Sequence, residues 1–193
     1  AHVQRMASAG HPVVRLDLRD RYDLGGEFFR WEFAIAVAGM VLGINPFDQP
    51  NVQEAKDFTV GMLQDYQRQG HLPRAPKTVS VERLLSQARP GDYLFVMAYL
   101  RQDPDIDRYL LAIRGAVMER YRIATGSGYG PRYLHSQGQV HKGGPGTGLF
   151  LMLTADHAQD VPIPGEPYSF GVLADAQALG DLQALVSRGR RVA

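Results

Sequence analysis

One unbroken apolar run limits the folds open to this chain more than any other feature. Residues 93–100 read YLFVMAYL, with no alternation between apolar and polar side chains. A strand that has one face in water alternates, whereas a strand covered on both faces of a parallel sheet does not. The run therefore predicts a buried strand with helices on either side of its sheet.

Segments of strand and helix character alternate along the rest of the chain. Residues 13–18 (VVRLDL) alternate like a half-buried strand, and residues 27–43 are apolar nearly all round, which predicts a central helix buried on most sides. We also predict helices over about 49–68, from 103 onward, over 131–142 and over 169–188, and strands over 122–125 and 149–156. The pattern predicts an α/β fold with a mostly parallel sheet flanked by helices.

We expect two portions that meet near residue 70. Residues 70–78 (GHLPRAPKT) are rich in proline and are typical of a connection. The prediction is a first portion of residues 1–70 and a second α/β portion of residues 71–193 packed on it.

Charge and composition exclude several classes of function. The chain has 193 residues, with 21 Lys and Arg against 20 Asp and Glu, so no overall field favours nucleic acid or anionic lipid. Cysteine is absent, which excludes disulfides, thiolate metal sites and a thiol nucleophile. The longest apolar run, residues 33–44, is too short to span a bilayer. We expect a cytoplasmic protein with no nucleic-acid or membrane partner, and the start without Met suggests a piece excised from a longer chain.

A glycine-rich segment, residues 125–131 (TGSGYGP), follows a predicted strand and precedes a predicted helix. Converging backbone amides and a helix N-terminus suit a phosphate, and Thr125, Ser127, Gly128 and Arg132 are the candidates to bind it. Glycine-rich turns of this kind are also common without any ligand, so an anion site and a plain turn stay equally open.

A polar cluster follows in residues 133–142 (YLHSQGQVHK). His135 is a candidate for general acid/base work, because imidazole titrates near neutrality, and a purely structural histidine is the alternative. Gln139 is a candidate ligand-binding residue on the same segment. A metal site formed by His135 and His141 is disfavoured, because six-residue spacing places the two rings about 120° apart on a helix. We expect no metal or other cofactor.

Lys56 lies near the border of the apolar face of the helix that follows the turn of residues 45–50 (NPFDQP). One interpretation is a lysine whose stem lies along the core while its ammonium reaches water. The other is an ammonium in a partly dry cleft that donates to a sugar oxygen or a phosphate.

Four segments carry a resemblance to a known family. Residues 42–56 (LGINPFDQPNVQEAK) resemble the signature of glucose-6-phosphate isomerases, in which FDQ is followed at a fixed distance by a lysine. Residues 128–156, 163–185 and 22–34 resemble the bifunctional transaldolase/glucose-6-phosphate isomerase proteins, the first of them their final region. The chain thus resembles the C-terminal part of the isomerase half of such a fusion.

The resemblance implies a sugar-isomerase fold of flavodoxin-like type and an aldose–ketose isomerase that interconverts glucose 6-phosphate and fructose 6-phosphate without a cofactor. It implies that Lys56 contacts the substrate and that His135 moves the ring-oxygen proton. The family's base glutamate has no matching segment here, so we expect the isolated chain to be inactive.

The expected partners are a hexose 6-phosphate and the transaldolase and isomerase regions that would precede this piece, with a homodimer left open. Two alternatives to catalysis stay open as well. One is a sugar-phosphate-binding module without chemistry, and the other is a purely structural scaffold.

Overall fold

The computed structural model describes residues 2–193, which divide into two compact units between Asp48 and Gln49. The division falls earlier in the chain than the boundary that the sequence suggests at residue 70. The helix that follows Gln49 packs along the last long helix of the chain, and it therefore belongs to the second unit. The predicted packing of residues 71–193 on residues 1–70 stays a prediction.

The first unit contains helix α1 (His2–Ser8) and helix α2 (Asp23–Leu42). The strand predicted over residues 13–18 is wrong: this segment has no regular secondary structure, and residues 11–20 are all exposed. An alternating sequence becomes a strand only where a neighbouring strand accepts its backbone hydrogen bonds. None of the residues described in this unit forms such a strand.

The helix predicted over residues 27–43 is present as α2, but its predicted burial is wrong. Gly39, which lies against Pro46, is the single buried residue of α2. Several large side chains are exposed: Phe28, Phe29, Trp31, Phe33, Ile35, Met40 and Val41. An apolar sequence indicates that a helix is able to pack against a partner surface, but it does not show that such a surface is present.

The second unit is an α/β layer structure. Its elements in chain order are α3 (Pro50–Gln69), α4 (Val81–Leu85), β1 (Tyr93–Tyr99), α5 (Pro104–Tyr121), β2 (Ala124–Tyr129), a 3₁₀ helix (Arg132–His135), α6 (Gly138–Gly143), β3 (Gly148–Thr154), α7 (Phe170–Ser187) and β4 (Arg191–Val192). The four strands are all parallel in the order β2-β1-β3-β4, which is the order of flavodoxin-like sheets. The predicted parallel α/β fold is confirmed.

Strand β1 is central, and its side chains enter two different cores. Leu94, Val96 and Ala98 point to the face covered by α4 and α5. Phe95 and Met97 point to the other face, which is covered by α7 and the 3₁₀ helix. Because both faces are covered, every position from 94 to 98 is apolar, as the sequence predicts.

The glycine segment that follows α5 is mostly a strand, so its interpretation as a turn between a strand and a helix is wrong. Residues 124–129 form β2 at the edge of the sheet, hydrogen-bonded along β1. A Cβ atom added at Gly126 would lie 2.8 Å from the Phe95 ring, and one at Gly128 would lie 2.7 Å from Tyr133 Cβ. These two glycines are therefore explained by close packing of aromatic side chains against the strand.

Two of the long helices begin at a side chain that accepts hydrogen bonds from backbone amides of the first turn. Asp103 begins α5 by accepting hydrogen bonds from the backbone amides of Asp105 and Ile106, both at 2.9 Å. Ser169 begins α7 in the same way, through the amide of Val172.

Among the helices described, we find none that combines the length and the apolar character needed to cross a bilayer.

The packing explanation for Gly128 predicts opposite effects of alanine at two glycines. Gly128→Ala should lower the free energy of unfolding by about 1–3 kcal/mol, because the methyl group overlaps Tyr133 and Phe95. Gly115→Ala, in the middle of α5 with open space around the new atom, should raise it by about 0.5–1 kcal/mol. Urea unfolding of the two variants measures both values, and a Gly128→Ala protein as stable as the parent would contradict the explanation.

Candidate functional site

Lys56 and His135 line the same cavity, although 79 positions separate them in the chain. The cavity has a volume of about 290 Å³ and lies between α3, the 3₁₀ helix and α7. Both residues are exposed, so the ammonium and the imidazole are accessible to a ligand from solvent. We call this cavity the Lys56 cavity.

The wall of the Lys56 cavity is mostly apolar. Besides Lys56 and His135, it is formed by Val52, Ala55, Thr59, Val60, Leu63, Pro131, Leu134, Leu173 and Gln177. An apolar wall with a few polar groups is the usual composition of a small-molecule site, because the apolar surface supplies area and the polar groups orient the ligand. Here the polar groups comprise a cation, an imidazole, a hydroxyl and an amide.

Two walls of this cavity are helices in very close contact. A Cβ atom added at Gly180 of α7 would lie 2.5 Å from the Thr59 hydroxyl and 3.0 Å from the Ala55 carbonyl of α3. The Thr59 hydroxyl is itself satisfied, because it donates to the Ala55 carbonyl at 2.9 Å. The glycine lets the two backbones approach, and this approach fixes where Lys56 lies relative to α7.

The third wall is tied to α7 through buried charge. Asp181 of α7 is fully buried and forms an ion pair with Lys142 of α6, whose side chain is 1% exposed. The hydroxyl of Tyr133, in the 3₁₀ helix, donates to the other oxygen of Asp181. Burial and the nearby negative charge of Asp181 hold the pKa of Tyr133 well above its usual value, so this hydroxyl keeps its proton. The tyrosine that anchors the 3₁₀ helix is two residues before His135.

His141 lies beside this network in an aromatic environment. Its ring centroid is 4.3 Å from that of Phe95 and 5.1 Å from that of Phe150. Its Nδ1 is 3.0 Å from the Tyr93 hydroxyl, while its Nε2 is buried without a hydrogen-bond partner among residues 2–193. Burial and, to a smaller extent, the charge of Lys142 lower the pKa of His141 from 6.5 to about 4. His141 is therefore a neutral core residue at neutral pH.

The other predicted binding residues lie outside the Lys56 cavity. Thr125, Ser127 and Gly128 belong to the edge strand β2. Arg132 is exposed, donates to the Gln102 side chain at 2.6 Å and lies over the Tyr129 ring at 5.8 Å. Their role in phosphate binding stays a prediction, and the lining of the Lys56 cavity contains none of them.

Gln139 has a structural contact that the sequence did not reveal. Its side-chain oxygen accepts a hydrogen bond of 3.0 Å from the backbone amide of Asn51, in the first turn of α3. The first turn of a helix has amides without partners inside the helix, so Gln139 caps α3 from a distance of 88 residues in sequence. This contact holds α3 against α6.

Sequence reasoning missed a second pair of titratable groups. His157 Nε2 lies 3.0 Å from Asp175 Oδ1, beyond the carboxyl end of β3. The signal was present, because Asp156 and His157 come just after the end of a parallel strand, where ligand sites of α/β sheets are usual. Within residues 2–193, no three His, Asp or Glu side chains are arranged to hold a metal ion.

Comparison with known proteins identifies a region similar to glucose-6-phosphate isomerase. The enzyme from Lactobacillus helveticus is 41% identical over 56 residues, which is 28% of this chain and 13% of that protein. The enzyme from Limosilactobacillus fermentum is 37% identical over 65 residues, which is 33% of this chain and 14% of that protein. The chain therefore spans only about a seventh of these relatives, and no protein-family profile matches it.

Among solved structures, the hypothetical protein TT0462 from Thermus thermophilus is similar at 21% sequence identity and a TM-score of 0.49. The similarity covers 57% of this chain and 31% of that protein.

The lowered pKa of His141 predicts a loss of stability in acid. As the pH falls, the imidazole of His141 takes up a proton near pH 6.5 in the unfolded chain but only near pH 4 in the folded protein. Between these two pH values the unfolded state binds more protons, so the free energy of unfolding falls as the pH falls. The contribution of this one group is roughly 3 kcal/mol. Urea unfolding between pH 7 and pH 4 should show a smaller decrease for His141→Gln, which retains an acceptor for Tyr93 but does not titrate. Equal decreases in the two proteins would contradict this assignment.

Proposed function

We propose that this chain is the C-terminal part of a glucose-6-phosphate isomerase, and that the Lys56 cavity is its contribution to the active site. The observation that carries the proposal is that Lys56 and His135 line one cavity. The resemblance assigns these two residues to the substrate-contacting lysine and the ring-opening histidine. The sequence similarity to three bacterial glucose-6-phosphate isomerases over 51 to 65 residues supports the same reaction.

The chemistry of aldose–ketose interconversion accounts for the two groups. The cyclic sugar must open, which requires proton transfer at the ring oxygen, and the imidazole of His135 is suited to this step. An enediol then forms and develops negative charge on oxygen, which the Lys56 ammonium stabilises. The apolar wall, with Leu134 and Leu173, accommodates the carbon–hydrogen face of the sugar while the polar groups contact its oxygens.

Isomerisation also requires a base that moves a proton between C1 and C2. We propose that this chain does not supply that base. The two carboxylates of α3 nearest in sequence to Lys56, Glu54 and Asp57, do not line the Lys56 cavity. We place the base glutamate in a region of the enzyme outside residues 1–193. The isolated chain would then bind hexose 6-phosphate without converting it.

We further propose that the protein is bifunctional and that a transaldolase precedes the isomerase in its chain. It rests on the resemblance of residues 128–156, 163–185 and 22–34 to such fusions. The same proposal includes a cytoplasmic location, hexose 6-phosphate as the ligand and the preceding transaldolase and isomerase regions as intramolecular partners. A homodimer would be an additional arrangement of that longer protein.

A second candidate function is sugar-phosphate binding without catalysis. Its support is that the described lining of the Lys56 cavity contains hydrogen-bonding groups but no aspartate or glutamate, so it holds no carboxylate base for the proton transfer between C1 and C2. A regulatory or docking module would need only the binding and not the proton transfers.

Replacement of Lys56 separates the two functions. In the full-length enzyme that contains this chain, Lys56→Ala should lower kcat/KM for fructose 6-phosphate by at least about a hundredfold, because a group that acts on the transition state is lost. A coupled assay of glucose 6-phosphate formation measures this value. Lys77→Ala, at an exposed lysine in the segment before α4, is the matched control and should leave kcat/KM unchanged. Normal turnover in Lys56→Ala would reject the catalytic assignment, and binding of hexose 6-phosphate without any turnover in the parent enzyme would select the binding module.

A further inference from the structure

A second cavity lies at the carboxyl end of the sheet and has no role in the proposed isomerase site. Its volume is about 630 Å³, and it is bordered by the end of β3, by α7 and by residues 72–78. In open parallel sheets, ligands bind in the crevice outside the carboxyl ends of the strands. We call it the His157 cavity.

The polar groups of the His157 cavity come from three parts of the chain. Thr154 ends β3, and Asp156 and His157 follow it after one intervening residue. Asp175 projects from α7 and lies 3.0 Å from His157, and Thr78 lies on the covering segment. Each of these groups is able to accept a hydrogen bond: the carboxylates, the hydroxyls and the unprotonated nitrogen of a neutral imidazole.

The loop that carries His157 is held firmly to the helix that carries Asp175. Asp160 accepts hydrogen bonds from the hydroxyl of Ser169 and from the backbone amide of Gly171 at 2.8 Å, in the first turn of α7. A Cβ atom added at Gly171 would lie 2.6 Å from this carboxylate. These contacts join the loop that follows His157 to the first turn of the helix that carries Asp175.

Apart from the imidazole of His157, the charged side chains that line the His157 cavity are all negative. Among the described residues that border the His157 cavity, two are aspartates and none is lysine or arginine. Arg74 and Lys77 belong to the covering segment but do not border the cavity. A phosphate or carboxylate ligand would face two carboxylates without a cation to compensate them, which is unfavourable.

The floor of the cavity is apolar and includes Met152, Leu179 and Leu182. A ligand that fits must therefore combine an apolar body with a polar head that donates hydrogen bonds and carries positive charge. A primary ammonium group has three donors and no acceptor, and it matches a lining that offers acceptors and negative charge. We propose that the His157 cavity is a binding site for a small organic amine, separate from the Lys56 cavity.

Three probes that share one apolar body test the proposal on this 193-residue chain. Cyclohexylmethylamine, cyclohexylmethanol and cyclohexanecarboxylate are each titrated into ¹⁵N-labelled protein at about pH 7.5, where the amine is charged, and the backbone amide resonances are followed. The amine should shift resonances of residues 154–157 and 175–182. The alcohol should bind at least about tenfold more weakly, because it lacks the charged hydrogen bonds, and the carboxylate should not bind.

Variants identify the groups responsible. Asp175→Asn should weaken binding of the amine about tenfold and leave binding of the alcohol unchanged, because the amide preserves shape and removes charge. Asp105→Asn, at an exposed aspartate paired with Arg108 in α5, is the control and should change neither affinity. Asp156→Asn, at an exposed position, applies the same test if the Asp175 variant does not fold.

Three results would overturn the proposal. The first is equal binding of the three probes, which would show that only apolar contact matters. The second is an amine affinity that is the same in Asp175→Asn or Asp156→Asn as in the parent. The third is a set of shifted resonances that excludes residues 154–157 and 175–182.

Discussion

A fully buried ion pair is the constraint on which the arrangement of the second unit depends. Lys142 and Asp181 have almost no access to water, and the removal of two charges from water costs several kcal/mol for each ion. The cost is offset only while the two groups stay in contact and the hydroxyl of Tyr133 satisfies the remaining oxygen of Asp181. The 3₁₀ helix, α6 and α7 are therefore held in one arrangement, and His135, two residues after Tyr133, lines the Lys56 cavity together with residues of α7.

Helix α7, which carries Asp181 of this ion pair, forms part of the wall of both cavities. Leu173 and Gln177, four residues apart, face the Lys56 cavity, whereas Asp175, Leu179 and Leu182 face the His157 cavity. The helical repeat of 3.6 residues places these two sets on different sides of the helix. The same helix packs against α3 at Gly180 and covers Phe95 and Met97 of the sheet. Displacement of α7 would therefore alter both cavities together.

The parts of the fold that the sequence predicts are those in which a local pattern reports burial directly. The run YLFVMAYL identifies β1 and the double cover of the sheet, and the helix predicted from residue 103 onward is α5. The pattern fails where tertiary context decides, as in α2, which is apolar but exposed, and in β2, whose glycines accommodate Phe95 and Tyr133. At the site, family likeness indicated Lys56 and His135. The contact of Gln139 with α3 and the pairing of His157 with Asp175 are long-range, and no single segment of the sequence displays them.

The central claim is that Lys56 and His135 act on one sugar phosphate in one cavity. A crystal structure of the full-length enzyme with bound fructose 6-phosphate tests it most directly. We predict that ligand density fills the space between α3, the 3₁₀ helix and α7, with sugar oxygens within about 3.2 Å of Lys56 Nζ and of a His135 ring nitrogen. Density for the whole ligand at another place, with the Lys56 cavity containing only solvent, would contradict it.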